Sequence, residues 1–292
     1  MLKAIVLIAL LAAAPAAFSQ IPARTLPDPI PTRVIDDTRP SEPAKGQHPQ
    51  ARSKDELKAY QEASLKTDGP SAEAAADAFA GKYPQSQLCG FLYQHAMTLY
   101  QSAGDADKTV VLARKTLAWD PNNGPALASV ASVLASHTPA DDPNRQERYA
   151  EARKDAERVI ALAAAGNLVP PATSQVQPVN YRQRLLIMSY SSLGTLDLSE
   201  KKYGEAENDI QKTIEVSQPN PDPISYYKLA WVQQKQGKSQ DALEAAKKCV
   251  ASSTDLGVTD ACTTMVSALQ KPGNIPPQPA AASNANPAAA AK

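Results

Sequence analysis

The 292-residue sequence has few of the residues that build catalytic and metal sites. It contains three histidines and three cysteines, and no two histidines lie close together in the chain. The metal-binding patterns H-E-x-x-H and C-x-x-C are missing, as are the G-x-S-x-G turn of serine hydrolases and the glycine-rich phosphate loop. We therefore expect no metal site, no cofactor and no enzymatic activity.

The histidines and one adjacent acidic pair do not suggest a site by their positions. His48 lies in a proline-rich stretch, His95 lies inside a predicted helix, and His137 opens a short insertion. The pair Asp141 and Asp142 lacks the alternating oxygen ligands and the closing glutamate of a calcium loop. We expect the histidines to face solvent or to be hydrogen-bonded, and the acidic pair to form a helix cap or a turn.

Neither sign of charge is in excess. The chain has 30 basic and 30 acidic residues, so no overall field attracts nucleic acid or anionic lipid. Segments such as "EARKDAER" alternate in sign at helical spacing, which is typical of solvated helix faces. Nucleic acid and membrane surfaces are therefore not expected as partners.

The apolar run at the N-terminus is too short to span a bilayer. The opening stretch "MLKAIVLIALLAAAPAAFSQ" combines one lysine, about a dozen apolar residues and a small-residue end, as a secretory signal peptide does. A bilayer span needs about 20 apolar residues, so cleavage near Ser19 and Gln20 is favoured over an uncleaved anchor. We predict that residues 1–19 are removed and that the mature protein is periplasmic or secreted, without membrane insertion.

Proline is frequent but unevenly distributed. Many of the 25 prolines lie in residues 20–52 and 272–292, where apolar residues are too few to offset the entropy of ordering the chain. We predict a disordered linker over residues 20–52 and a disordered Pro/Ala-rich tail over 272–292. Residues 53–271 are long enough to bury a substantial core.

Apolar residues in this central part follow helical spacing. The stretches "LCGFLYQHAMTLYQSAG" and "DADKTVVLARKTLAWD" each place their apolar side chains along one stripe. Gly104 separates the two stretches, and "DPNNG" follows the second, where proline prevents the helix from continuing. The pattern predicts two helices joined by a tight turn, which is a helical hairpin.

The hairpin recurs along the chain. A small residue stands near the start of the second helix of each hairpin, a second position follows seven residues later, and a bulkier residue comes directly after that. The small residues let two helices approach closely, and the bulkier ones fill the gap to the neighbouring hairpin. The three sets are Thr109, Ala152, Ala206 and Ala242; Thr116, Val159, Thr213 and Cys249; Leu117, Ile160, Ile214 and Val250.

These residues resemble the tetratricopeptide repeat (TPR) family, whose unit is a helix-turn-helix of about 34 residues. The best units are 90–123, 187–220 and 223–256, while 124–165 is interrupted by "HTPADDPNR" and 53–84 is degenerate. The resemblance implies an all-α fold, a right-handed superhelical solenoid of about five hairpins plus a C-terminal capping helix over residues 53–271. Longer connections at 137–145 and 166–180 are either binding loops or simply mobile.

The resemblance also implies a concave groove lined by the first helix of each hairpin, where a partner peptide or protein binds. The lysine, arginine and asparagine positions with which chaperone-binding relatives hold a C-terminal carboxylate are not matched. Tyr227 and Trp231 lie one turn apart and either anchor a peptide or pack on the neighbouring helix. The groove positions are Gln94, Thr98, Gln101, Ser191, Thr195, Leu198, Tyr227, Trp231 and Gln234.

Two of the three cysteines are placed symmetrically about a predicted turn. Cys249 and Cys262 flank "SSTDLGVT", so they face each other if the flanking helices are antiparallel, and export permits a disulfide. We predict a Cys249–Cys262 bond with Cys89 left as a buried free thiol. The alternative is that all three are small core residues.

The stretch "LGTLDLSEKKYGEA" crowds charged residues that could suggest an acid-base site. The hairpin pattern instead places Asp197, Glu200, Lys201 and Lys202 near an exposed turn, where polar residues are expected. Together with the predicted export, the resemblance implies a non-enzymatic scaffold of the bacterial cell envelope that binds a protein or peptide. The alternative is an accessory protein that binds a glycan for an envelope enzyme complex.

Overall fold

The computed structural model describes residues 50–168 and 178–271. The predicted signal peptide, nearly all of the proline-rich linker, the middle of the 166–180 connection and the C-terminal tail lie outside these residues. Helices are the only regular secondary structure in the described part, so the prediction of an all-α fold is confirmed there.

Eleven helices occupy the described residues. They are α1 (Lys54–Ser64), α2 (Gly69–Lys82), α3 (Leu88–Ser102), α4 (Ala106–Trp119), α5 (Gly124–His137), α6 (Arg145–Ala164), α7 (Pro178–Ser199), α8 (Tyr203–Val216), α9 (Pro223–Lys235), α10 (Ser239–Ser252) and α11 (Leu256–Leu269).

Short polar side chains define where most of these helices begin. The Asn123 side chain accepts from the Ala126 N–H at the start of α5, and proline follows in the first turn, where its missing N–H does no harm. Gly104 and Gly237 have φ angles of 76° and 79° just after α3 and α9, a left-handed conformation that suits glycine. Side-chain caps of the same kind are made by Ser53, Asp68, Asp105, Asp222 and Asp255.

The chain divides into two compact units, of which the first ends at Ser199 and the second begins at Glu200. In the first unit each of the helices α1 to α6 packs on the helix that follows it, and α5 also packs on both α3 and α7. In the second unit α8, α9, α10 and α11 pack consecutively, and α9 contacts α11. Both units have the packing order of a helical repeat; the right-handed superhelix stays a prediction.

Gly124 allows side chains to approach the start of α5 closely. A Cβ atom built on Gly124 would lie 2.6 Å from Leu168 Cδ1 and 2.8 Å from Leu185 Cδ1. Gly124 is buried, and the α5 side chains of Ala128 and Val130 are fully buried. The absence of a side chain at Gly124 thus lets Leu168 and the α7 residue Leu185 pack closely against the start of α5.

Charged side chains also join the helices of the first unit. Two acidic residues of α2, one turn apart, each accept from a tyrosine of α3 and pair with a lysine of α4. The hydrogen bond from Lys108 holds the pKa of Glu73 below its usual range. The first set is Glu73, Tyr100 (2.8 Å) and Lys108 (2.9 Å); the second is Asp77, Tyr93 (2.9 Å) and Lys115 (2.8 Å).

The expectation that Asp197 lies on an exposed turn was wrong. Asp197 is 1% exposed, and its Oδ1 lies 2.7 Å from Nη2 of Arg153 on α6. The turn itself begins after Ser199, where Glu200 pairs with Lys202 at 2.8 Å and Lys201 has a φ of 61°. Asp197 is therefore a buried partner of an arginine on the preceding helix, α6.

A second buried carboxylate, Asp155 on α6, has no cation bonded to it in the described part of the chain. Its exposed fraction is 9%, and burial together with the charge of Glu151 raises its pKa from the ordinary 3.8 to about 6. The folded state therefore binds this proton more tightly than the unfolded state does. The ionised carboxylate consequently lowers the stability of the fold as pH rises from about 4 through 6.

Asp155→Asn is therefore expected to raise the free energy of unfolding by about 1 to 3 kcal/mol at pH 7.5 and by little at pH 4. Urea unfolding at the two pH values measures the difference. Glu157→Gln changes an exposed carboxylate on the same helix and should have almost no effect at either pH. An equal effect of Asp155→Asn at both pH values, or destabilisation at pH 7.5, would contradict this prediction.

Candidate functional site

The predicted groove residues of α3 lie on one face of that helix. Gln94, Thr98 and Gln101 are spaced by four and three residues, and all three side chains are half-buried. The Thr98 hydroxyl donates to the Gln94 carbonyl at 2.9 Å, so it is satisfied within its own helix. The amides of Gln94 and Gln101 are the longer polar groups on this face.

The predicted groove residues of α7 form a second stripe in the same unit. Ser191, Thr195 and Leu198 are half-buried, and the Thr195 hydroxyl donates to the Ser191 carbonyl at 2.8 Å. Because α5 packs on both α3 and α7, the two stripes are carried by first helices that flank a common neighbour. The half-buried Ser132 and Val133 of α5 were not among the predicted residues.

A cavity of about 280 Å³ adjoins the α3 stripe. Gln94 accepts from the Asn123 side-chain amide at 2.8 Å, which links α3 to the start of α5 at the cavity wall. Trp119 is 37% exposed and lies against the α3 backbone, since a Cβ on Gly90 would be 3.2 Å from Trp119 Cβ. The lining consists of Gln85, Ser86, Gln87, Gly90, Phe91, Gln94, Trp119, Asp120 and Asn123.

The third predicted stripe, Tyr227, Trp231 and Gln234, lies on α9 in the second unit, and all three side chains are half-buried. The Trp231 ring meets the Tyr203 ring edge-on, with centroids 5.9 Å apart, and Lys235 Nζ lies 5.1 Å from the Trp231 ring centroid. Trp231 therefore packs on α8 and also keeps part of its surface open. Both roles considered for this side chain remain compatible with its position.

A larger cavity of about 450 Å³ lies on a different face of α9, between α8 and α10. Glu207 on its wall is 8% exposed and accepts from Gln233 (3.1 Å), Gln236 (2.9 Å) and Lys238 (2.5 Å). Burial opposes ionisation of Glu207, but these hydrogen bonds outweigh it and hold the pKa below its usual range. The network fixes one wall of the cavity to the turn between α9 and α10.

The cysteines are arranged as the turn symmetry predicted. Cys249 on α10 and Cys262 on α11 are bonded, with an S–S distance of 1.97 Å and a Cα–Cα distance of 6.0 Å. Cys89 is fully buried, and burial raises the pKa of its thiol to about 11. Because the thiolate is the reactive form, Cys89 is not suited to nucleophilic chemistry at neutral pH.

The histidines and the acidic pair examined for chemistry have structural contacts. His95 Nε2 donates to the Lys66 carbonyl at 2.7 Å, and His137 is exposed at the end of α5. Asp142 accepts from the Asn144 N–H at 2.7 Å and pairs with Arg148 at 3.0 Å. Asp142 thus has the turn role expected for it, while His48 lies outside the described residues.

The described residues hold neither a metal-binding cluster nor a membrane-spanning helix. Over residues 50–168 and 178–271, no three His, Cys, Asp or Glu side chains gather closely enough to hold a metal ion. None of the helices in these ranges combines the length and apolarity that crossing a bilayer requires.

No family model matches the chain, and no curated protein is significantly similar to it. The resemblance to TPR proteins therefore rests on the residue pattern, and the packing of consecutive helices is consistent with a helical repeat.

Proposed function

We propose that this chain is a non-enzymatic, exported TPR protein that acts as an interaction scaffold in the bacterial cell envelope. In this proposal the hairpins form a right-handed solenoid capped by α11. A partner protein or peptide binds to the first helices, α3, α7 and α9, through the stripes described above. A preformed surface of this kind binds extended partners with little reorganisation.

The observation that carries the proposal is the placement of Trp231 on α9. Contacts with Tyr203 and Lys235 hold the ring, while part of its surface stays open beside Tyr227, one turn away. Held aromatic side chains with an open face are the residues that most often dominate the energy of protein interfaces. The amides of Gln94, Gln101 and Gln234 can donate to and accept from the backbone of a bound peptide.

The chemistry of the cysteines supports the proposed export. Disulfides persist in the periplasm and outside the cell, whereas cytosolic thiols are kept reduced. A bonded Cys249–Cys262 pair is therefore in keeping with the signal peptide predicted for residues 1–19.

Trp231→Ala is expected to remove most of the partner retention with a modest fall in stability. The immobilised full chain is exposed to envelope extract and crosslinked, and retained proteins are identified by mass spectrometry. A loss of about 2 kcal/mol of binding, typical of an interface hot spot, corresponds to roughly thirty-fold weaker affinity. Thermal unfolding of the same variant reports the cost to folding.

Tyr203→Ala is the matched control, since it removes the same ring contact and leaves Trp231 in place. Retention that survives Tyr203→Ala and fails in Trp231→Ala supports the anchor. Equal losses of stability and retention in both variants would assign Trp231 to packing alone. Retention of glycan without protein, abolished by Trp231→Ala, would favour the accessory glycan-binding function instead.

A further inference from the structure

The cavity between α8 and α10 has an excess of negative charge. Glu215 is already paired with Lys212 at 2.7 Å, and Glu207 has its own donors. Asp241 and Glu244 are exposed on α10 and make no ion pair with any of the described residues. With Lys212 and Lys238 counted beside Lys248, four carboxylates face three ammonium groups, so the cavity keeps a net negative charge. The lining comprises Glu207, Gln211, Ile214, Glu215, Gln218, Tyr226, Leu229, Gln233, Asp241, Glu244, Ala245 and Lys248.

A buried acceptor in the same lining lacks a donor. Gln233 is 6% exposed, and its Nε2 is committed to Glu207. Its Oε1 has no hydrogen-bond partner within the described part of the chain. An unpaired buried carbonyl is unfavourable, so a donor that enters beside Gln233 would gain a hydrogen bond. This observation is independent of the exposed carboxylates and favours a ligand that carries N–H groups.

The cavity also offers apolar surface. Tyr226 and Leu229 on α9, Ile214 on α8 and Ala245 on α10 share the lining with the charged residues. A small cation alone would leave this surface uncovered, whereas a polypeptide side chain beside a lysine or arginine would cover it. Arginine in particular has a fork of five donors, which suits carboxylates and an amide oxygen together.

We propose that the cavity between α8 and α10 binds a polypeptide segment that places a lysine or arginine next to an apolar side chain. The cation lies between Asp241 and Glu244, with a donor toward Gln233, and the apolar side chain contacts Ile214 and Leu229. The proposal rests on the proposed protein-binding function only in that the occupant is polypeptide. Its surface is distinct, because Tyr226, Leu229 and Gln233 lie on another side of α9 from Tyr227, Trp231 and Gln234.

The test measures binding of labelled peptides to the full chain by fluorescence anisotropy. The probes are a short peptide of alternating arginine and leucine and a charge-reversed peptide of alternating glutamate and leucine. The double variant Asp241→Asn/Glu244→Gln should weaken the basic peptide about fivefold to tenfold, because two partly exposed charge contacts are lost. Added salt should weaken binding to the unchanged protein and have less effect on the variant.

The matched control is Glu205→Gln/Asp260→Asn, which removes the same charge from exposed positions of the second unit outside the cavity. The control should retain the affinity of the unchanged protein. The charge-reversed variant Asp241→Lys/Glu244→Lys should bind the acidic peptide in preference to the basic one. Together these results support the proposal.

Three outcomes would overturn it. The first is that the basic peptide fails to bind the unchanged protein, and the second is that both peptides bind it equally. The third is that the control variant weakens binding as much as the cavity variant does. If Trp231→Ala abolishes binding of the basic peptide and the cavity variant does not, the proposed first-helix function stands and the cavity proposal fails.

Discussion

Replacing Asp197 with alanine is expected to lower the free energy of unfolding by about 3 to 5 kcal/mol. Asp197 is 1% exposed and accepts from Arg153 at 2.7 Å, while the Arg153 side chain is 29% exposed. Removing the carboxylate takes one charged acceptor away from the partly buried Arg153 guanidinium and leaves a gap where the buried Asp197 side chain was packed. The loss of stability arises mainly from this lost charge compensation and exceeds the net contribution of the ion pair itself.

Two further variants separate this explanation from a simple loss of packing. Asp197→Ala/Arg153→Met removes both charges and should lose less stability than Asp197→Ala alone. Asp141→Ala removes an exposed carboxylate of the same unit and should change stability by less than about 0.5 kcal/mol. Urea unfolding of each variant gives the comparison. A double variant that is less stable than Asp197→Ala would contradict the explanation by lost charge compensation.

Removing the disulfide is expected to lower the free energy of unfolding by about 3 kcal/mol under oxidising conditions. Cys249 and Cys262 are 13 residues apart, and the bond joins α10 to α11. Breaking it frees a short loop in the unfolded chain and leaves α11 held by its contacts with α9 and α10 alone. The double variant Cys249→Ala/Cys262→Ala keeps the positions small and apolar.

Reductant provides the internal control for this prediction. Reduced unchanged protein and the double variant should unfold at similar urea concentrations, because both lack the bond. Alkylation of the unfolded protein without reductant should modify Cys89 alone, and alkylation after reduction should modify all three thiols. Three modified thiols without reductant would refute the bond.

The sequence predicted the helices well because the signals that define them are local. Apolar spacing, the caps at Asp105 and Asn123 and the glycine turns after α3 and α9 all operate within a few residues. Helix α7 begins at Pro178, before the start of the repeat predicted from residue 187. Proline is compatible with a first helical turn, but the mixed apolar and polar residues at 179–184 form no apolar stripe that would reveal the helix.

The features that were missed depend on residues far apart in the chain. Asp197 is 44 residues from Arg153, and no local pattern indicates that the two meet. Trp119 is the last residue of α4, and the cavity that it lines exists only because α3, α4 and the start of α5 converge. The acidic cavity of the second unit likewise combines three helices. By contrast, the cysteine pairing could be predicted because both residues flank a single turn.

Site-specific photo-crosslinking in the native host tests most directly whether the first helices bind a partner. A photoreactive amino acid replaces Thr98, Thr195 or Tyr227 in the full chain, or replaces the exposed Val111 or Glu157 of second helices as controls. We expect the first-helix positions to yield discrete adducts with one protein, and the control positions to yield none. Adducts that form equally at the control positions, or are absent from all first-helix positions, would contradict the proposed function.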